Sequence, residues 1–164
     1  MKKNILKNRK YTLDEIYEIS NENHYISLSS EAEKEIINSR KFIDDKIDLS
    51  NPIYGINTGF GKLSKVKINN SDVSKLQENL LLSHAVGVGD PIPNIIVKII
   101  ILLKIISFIR GKSGISLEVV NLLIALFNNN CLPIIPSKGS VGASGDLAPL
   151  SHMSLSLIGI GSME

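Results

Sequence analysis

Apolar residues recur at helical spacing along most of the chain and predict a mainly helical protein. Residues 12–15 and 30–33 each have the pattern of a capping box, and an apolar stripe follows each of them. The second stripe predicts a helix over residues 30–46. The same spacing, ended by Gly, Asn or Pro residues, predicts further helices over 71–85, 95–110, 117–129 and 147–158. Strand patterns are weak and limited to short runs such as residues 26–28.

The 164 residues are expected to form one domain, since no repeat or linker divides residues 1–164. Hydrophobic residues make up 43% of the chain, which is enough for a buried core. The net charge of +2 is too balanced to indicate nucleic acid or an anionic membrane as a partner. Lys98 and Lys104 interrupt the most apolar segment, 95–109, which therefore predicts a buried helix and not a membrane span.

The single cysteine, Cys131, excludes an internal disulfide and is typical of a protein of the reducing cytoplasm. Its apolar neighbours predict a buried thiol. The basic N-terminus is not followed by an apolar segment, so no secretory signal is predicted. The three histidines, His24, His84 and His152, do not have the spacing of metal ligands, and we predict no metal site.

The segment best suited to unusual chemistry is 139–150, GSVGASGDLAPL. Its small residues Ala143, Ser144 and Gly145 would let the Gly145 nitrogen reach the carbonyl carbon of Ala143 and close a five-membered ring. Loss of water from Ser144 would then leave an electrophilic methylene group. Asp146 is a suitable N-cap for a helix beginning at Leu147. Taken alone, the segment is equally typical of a tight turn or of a loop that binds an anion.

Two other segments contain residues that can act on a small ligand. The run YGINTGFG begins at Tyr54, and a tyrosine among loop glycines can approach a ligand and accept a proton, although most tyrosines only pack. The run LQENLLLSHAVG contains the pair Ser83 and His84 on a predicted helix. A histidine in such a place is either a hydrogen-bonded core residue or a ligand-binding group.

These three segments, in this order, resemble the motifs of the aromatic amino acid ammonia-lyases. The resemblance extends over residues 12–164. It implies a mainly α-helical fold of the aspartase/fumarase type and a homotetramer built around a long helical bundle. It also implies a methylidene-imidazolone prosthetic group, formed autocatalytically from Ala143, Ser144 and Gly145. Neither a metal nor a dissociable cofactor is implied.

The same resemblance implies a role for each matching residue. Tyr54 corresponds to the catalytic tyrosine, which removes a β-proton, and the methylene derived from Ser144 is attacked by the amine of the substrate. Ser83 and His84 resemble the substrate-binding pair of histidine-specific members, which implies conversion of L-histidine to trans-urocanate and ammonia. Support of the two loops is expected from Gly61, Gly142 and Asp146. We expect His152, on the helix after the loop, to support it as well.

The chain is several times shorter than members of that family. We therefore expect it to be an N-terminal fragment or a truncated product that is inactive alone and exposes apolar faces of residues 95–109 and 147–158. Two alternatives remain open. The substrate could be that of a tyrosine or phenylalanine ammonia-lyase or an aminomutase, or the chain could be a non-catalytic remnant that binds a full-length subunit.

Overall fold

The structure is a computed structural model that describes residues 2–21, 24–47, 53, 54, 56, 58, 68 and 70–164, without the side chains of residues 47, 70, 71, 73 and 144. Helices dominate the described residues, which confirms the predicted mainly α class. In chain order the elements are β1 (Lys2–Leu6), α1 (Leu13–Ser20), β2 (His24–Leu28), α2 (Ser30–Ile47), α3 (Asn70–His84), β3 (Val88–Pro91), α4 (Asn94–Ile109), α5 (Leu117–Asn128), β4 (Pro136–Lys138) and α6 (Leu147–Leu155).

The predicted helices are confirmed to within a few residues. The last of them, predicted over 147–158, consists of α6 followed by a 3-10 turn over Ser156–Ile158. The first capping box is also confirmed. The Glu15 amide donates to Thr12 Oγ1 at 3.2 Å, and the Thr12 amide donates to Glu15 Oε2 at 2.8 Å. At the second, the N-cap is Ser29 and not Ser30, because Ser29 Oγ accepts from the Ala32 amide at 3.2 Å, and Ala32 has no side-chain acceptor to complete a box.

The strands form two small sheets that the sequence patterns mostly miss. β1 and β2 are parallel, with α1 as the connection between them, and Asn4 lies opposite Ile26. β3 and β4 are antiparallel, with Val88 opposite Lys138. Only part of β2 was predicted from the sequence, because three- to five-residue strands rich in Lys, Asn, Gly or Pro carry little local signal.

The core is organised around α4, as predicted for its apolar segment. α1, α2 and α5 all pack against this helix. Lys98 is also buried, and its ammonium lies 4.8 Å from the centre of the Phe127 ring. Within the described part of the chain, no helix is both long and apolar enough to cross a membrane. The α4 side chains that are fully or almost fully buried are Val97, Ile101, Leu102, Ile105 and Ile109.

Cys131 departs from its prediction, because the structure places it at the surface. It follows the end of α5 at Asn128 and the left-handed residue Asn130, whose φ is 56°. The turn leaves Cys131 exposed and buries the next residue, Leu132. An apolar neighbourhood in sequence therefore does not bury the thiol here.

Asn128 connects α5 to the first sheet through its side chain. Its Oδ1 accepts from the Ile26 amide at 2.8 Å, and its Nδ2 donates to the Ile26 carbonyl at 2.9 Å. Ile26 is fully buried, so both of its backbone groups would lack a partner without this amide. The two bonds join residues 102 positions apart in sequence.

We expect Asn128→Ala to lower the free energy of unfolding by about 1–3 kcal/mol, because it leaves a buried backbone donor and acceptor unsatisfied. Urea denaturation followed by circular dichroism measures the change. Asn129→Ala is the matched control, since the Asn129 amide bonds only the Ala125 carbonyl on the exposed side of the same helix end. It should cost less than about 0.5 kcal/mol. Equal losses in the two variants would contradict the assignment.

Candidate active site

An open cavity of about 340 Å³ brings together segments that are distant in sequence. One wall is the C-terminal half of α3, the facing wall is α6, and α4 contributes one side chain. Tyr54 completes the lining. The described residues that line the cavity are Tyr54, Leu80, Leu81, His84, Lys104, Leu147, Leu150, Ser151 and Ser154.

His84 is held on the α3 wall through one edge of its ring. Its Nδ1 lies 2.8 Å from the Leu80 carbonyl oxygen and 3.1 Å from Ser83 Oγ. Because a carbonyl can only accept, Nδ1 must carry the proton. In the neutral ring Nε2 is then an acceptor, and it bonds none of the described residues. His84 can therefore receive a hydrogen bond from a ligand in the cavity.

Ser83 is adjacent to His84 but does not line the cavity. Its side chain is exposed, and its hydroxyl donates to the Leu80 carbonyl at 3.0 Å within the same helical turn. The hydroxyl oxygen can accept from His84 Nδ1 at the same time. In this structure Ser83 therefore touches the histidine and not the cavity.

Tyr54 lies on the cavity, as expected for a residue that acts on a ligand there. Its side chain is 65% exposed, so the phenol can be reached from solvent. Gly61 and most other residues of the run 54–61 lie outside the described residues, so the predicted support from Gly61 stays a prediction.

Sequence reasoning missed the lining residues that α4 and α6 supply. Lys104 was noted only as an interruption of an apolar segment, yet it is the cation on the cavity. The available signal was a lysine in an otherwise apolar helix, but Lys98 gives the same signal and is buried in the core. Leu147, Leu150, Ser151 and Ser154 follow α-helical spacing on α6, but only the packing of α3 against α6 shows which face meets the cavity.

The loop before α6 contains a tight turn. Residues Gly142–Ser144 form a 3-10 turn, and the Gly145 amide donates to the Gly142 carbonyl at 3.3 Å. Gly145 has a φ of 87°, which favours glycine. Ala143, Ser144 and Gly145 thus lie in one tight turn of small residues, which is compatible with a ring formed from their own backbone.

Asp146 occupies the N-cap position of α6, but not in the manner predicted. It is left-handed, with φ 56° and ψ 40°, and its side chain makes no capping bond to the helix. Its carboxylate instead accepts from the hydroxyl of Ser140, which joins the two ends of the loop. Its carbonyl accepts from the Leu150 amide at 3.2 Å. Asp146 therefore links the two ends of the loop through its side chain and begins the hydrogen bonding of α6 through its carbonyl.

His152 bonds a different segment from the loop that it was predicted to support. Its Nε2 accepts from the Gly87 amide at 3.0 Å, just beyond the end of α3. Burial lowers the pKa of His152 below its ordinary value of 6.5. Among the described residues, no group of three or more His, Cys, Asp or Glu side chains is placed to hold a metal ion.

Comparison with known proteins places these features in a family. The family model of the aromatic amino acid lyases matches residues 11–164. A histidine ammonia-lyase from Deinococcus radiodurans is 45% identical over 156 residues, which cover 95% of this chain and 30% of the relative. The chain therefore spans about a third of the length of such a relative.

Solved structures with the same backbone arrangement have more than one activity. The histidine ammonia-lyase from Trypanosoma cruzi has a TM-score of 0.87 at 36% identity, over 98% of this chain and 31% of that chain. A phenylalanine aminomutase from Pantoea agglomerans has a TM-score of 0.91 at 28% identity, over 100% and 31%. These neighbours confirm the fold class, and backbone similarity alone does not separate the two activities.

The positive φ of Gly145 generates a prediction about the loop. Gly145→Ala should lower the free energy of unfolding by about 1–2 kcal/mol, because a side chain in this conformation is strained. A Cβ would meet open space at both Gly145 and Gly142, so packing does not enter the comparison. Gly142→Ala, with no positive φ, is the control and should change stability by less than about 0.5 kcal/mol. Thermal denaturation that ranks Gly142→Ala as the more damaging change would refute this account.

Proposed function

The chain belongs to the aromatic amino acid lyase family, and on that basis we propose that it takes part in eliminating ammonia from L-histidine, with trans-urocanate as the other product. The observation that carries the proposal is the position of His84 on one cavity with Tyr54 and α6. Curated relatives named histidine ammonia-lyase, 43–48% identical to this chain, support it. The complete reaction belongs to a protein that includes this chain and the further length of its relatives.

His84 is proposed to recognise the imidazole ring of the substrate. Its Nδ1 is tied to the Leu80 carbonyl, so Nε2 can accept the N–H of a second imidazole. A phenyl ring has no such donor and would leave Nε2 unpaired in the cavity, which discriminates between the two side chains. The Ser83 hydroxyl oxygen supports this arrangement, because it accepts a hydrogen bond from Nδ1 of His84 and so keeps the proton on that nitrogen.

Tyr54 is proposed as the base that takes the β-proton of the substrate. It lies on the same cavity as His84, so a ligand bound by its imidazole presents its β-carbon within the volume that Tyr54 lines. Lys104 lines the cavity as well, and its positive charge would favour an anionic group on the ligand.

Ala143, Ser144 and Gly145 are proposed to form the methylidene-imidazolone group, because the turn fits its backbone ring. When formed, the group supplies an electrophilic methylene that ordinary side chains lack. Asp146 and Ser140 hold the turn closed through their hydrogen bond. Gly142 contributes its carbonyl, which accepts the Gly145 amide.

Tyrosine or phenylalanine ammonia-lyase or aminomutase activity is the second candidate. The similarity to the aminomutase backbone is compatible with it, whereas the polar pair Ser83 and His84 favours histidine. A non-catalytic chain that binds a full-length subunit is the remaining alternative.

We further propose a cytoplasmic homotetramer, supported by the family and by apolar side chains exposed on α4 and α6, such as Leu103 and Leu147.

Replacement of the serine in the loop tests the prosthetic group. In a full-length enzyme that contains this sequence, Ser144→Ala should reduce ammonia release from L-histidine to background, because alanine has no hydroxyl to eliminate. Mass spectrometry of the peptide spanning residues 139–146 should show the loss of two water molecules in the wild-type chain only. Near-normal turnover by Ser144→Ala would refute the proposed prosthetic group. Faster turnover of phenylalanine or tyrosine than of histidine by the wild type would refute the proposed substrate.

Removal of the phenol tests the base separately. Tyr54→Phe should lower turnover by about 100- to 10,000-fold, the usual contribution of a general base. The peptide 139–146 should keep its lower mass, because ring closure does not need the phenol. Tyr17→Phe is the control, since this exposed tyrosine on α1 lies away from the cavity. An unchanged rate in Tyr54→Phe would remove the assignment of Tyr54.

A further inference from the structure

The cavity lies between two helices, α3 and α6. His152 lies where it could fix the distance between them. The α3 wall ends at His84, and the α6 wall includes Leu150 and Ser151. Gly87 follows His84 by three residues, and His152 directly follows Ser151. The hydrogen bond of 3.0 Å from the Gly87 amide to His152 Nε2 therefore joins the two walls beside the cavity.

The backbone around this bond is closely packed. A Cβ on Gly87 would lie 3.0 Å from His152 Nε2 and 3.2 Å from the Cβ of Pro136. A Cβ on Gly139 would lie 3.0 Å from the Gly87 Cα and 3.4 Å from the Ala148 Cβ. The end of α3, the strand β4 and α6 thus meet at one point, and the His152 ring is the polar contact there.

The bond defines the protonation state of His152. An Nε2 that accepts a hydrogen bond carries no proton, so the ring is neutral and its proton is on Nδ1. The pKa of His152 is lowered by burial, with no charged neighbour contributing to the shift. The described titratable residues on the elements around it are Asp72, Lys75, Glu78 and His84 on α3, Asp90 on β3, Lys138 on β4 and Asp146 before α6.

We infer that His152 is a positioning residue for the cavity, whose neutral ring holds the end of α3 that carries His84 against α6. The cavity is then complete only while the Gly87 amide has its acceptor. The inference deepens the proposed function, on which it rests for the identity of the substrate. The bond is complete above the ordinary pKa of histidine and is lost as the pH falls through the lowered pKa of His152.

A pH titration of the chain by nuclear magnetic resonance tests the inference without any turnover. The Gly87 amide and the His152 ring nitrogens should shift with one midpoint, which lies below 6.5. The methyl groups of Leu80 and Leu150 should shift with the same midpoint, because the contact between the two walls changes. A Gly87 amide that does not follow His152, or cavity signals that do not move, would overturn the inference.

Variants separate positioning from mere support of the fold. His152→Gln keeps an acceptor that does not titrate, so it should remove the pH dependence of the Gly87 amide and rescue the cavity signals. His152→Leu should displace them at every pH. His24→Gln is the matched control, because His24 is also half-buried and accepts a hydrogen bond, from Asn4 at 3.1 Å in the first sheet, away from the cavity. It should leave the cavity signals unchanged.

In a full-length enzyme that contains this sequence, His152→Leu should raise the KM for L-histidine about tenfold, while kcat changes less than about threefold. His152→Gln should keep the KM near the value that the wild type has at neutral pH, including at the lower pH where the wild-type bond is lost. A lower melting temperature with an unchanged KM would show a structural role only and overturn the inference. Absence of wild-type turnover would instead refute the proposed function, and the resonance titration would then decide the inference alone.

Discussion

The burial of α4 is the constraint on which the rest of the molecule depends. This helix is apolar on nearly every face, and α1, α2 and α5 cover it from different sides. A fully buried isoleucine or leucine contributes about 1.5–3 kcal/mol relative to exposure, so these contacts dominate the stability of the fold. Lys104 lies on the same helix and reaches the cavity. The core and the candidate site therefore share one element, and a shift of α4 would move both.

The loop before α6 departs most from ordinary backbone geometry. Gly145 and Asp146 are left-handed in succession, with φ of 87° and 56°. Aspartate tolerates this conformation better than most residues, and the hydroxyl of Ser140 holds its carboxylate. The surrounding contacts thus maintain a turn that an isolated peptide would rarely adopt, which is typical of functional segments.

The helices could be predicted from sequence because their signals are local. Apolar spacing and capping residues indicated α1 to α6 closely, and the error at Ser30 was one residue. The strands β1, β3 and β4 escaped because their pairing is between distant segments. Tyr54 and His84 were identified as candidates from their motifs. The cavity that these two residues share with Lys104 and α6 is formed by tertiary packing. The bond from Gly87 to His152 is formed in the same way, so a local sequence pattern predicts neither the cavity nor the bond.

The Asn128 side chain has a consequence beyond the two bonds that it makes with Ile26. Both backbone groups of Ile26 point away from β1, because both are bonded to this amide. They belong to the outer edge of a two-stranded sheet, where another polypeptide could add as a further strand. The Asn128 side-chain amide makes the two hydrogen bonds to Ile26 that an added strand would otherwise make. The same residue that fastens α5 to the sheet thereby obstructs intermolecular strand addition and the aggregation that follows from it.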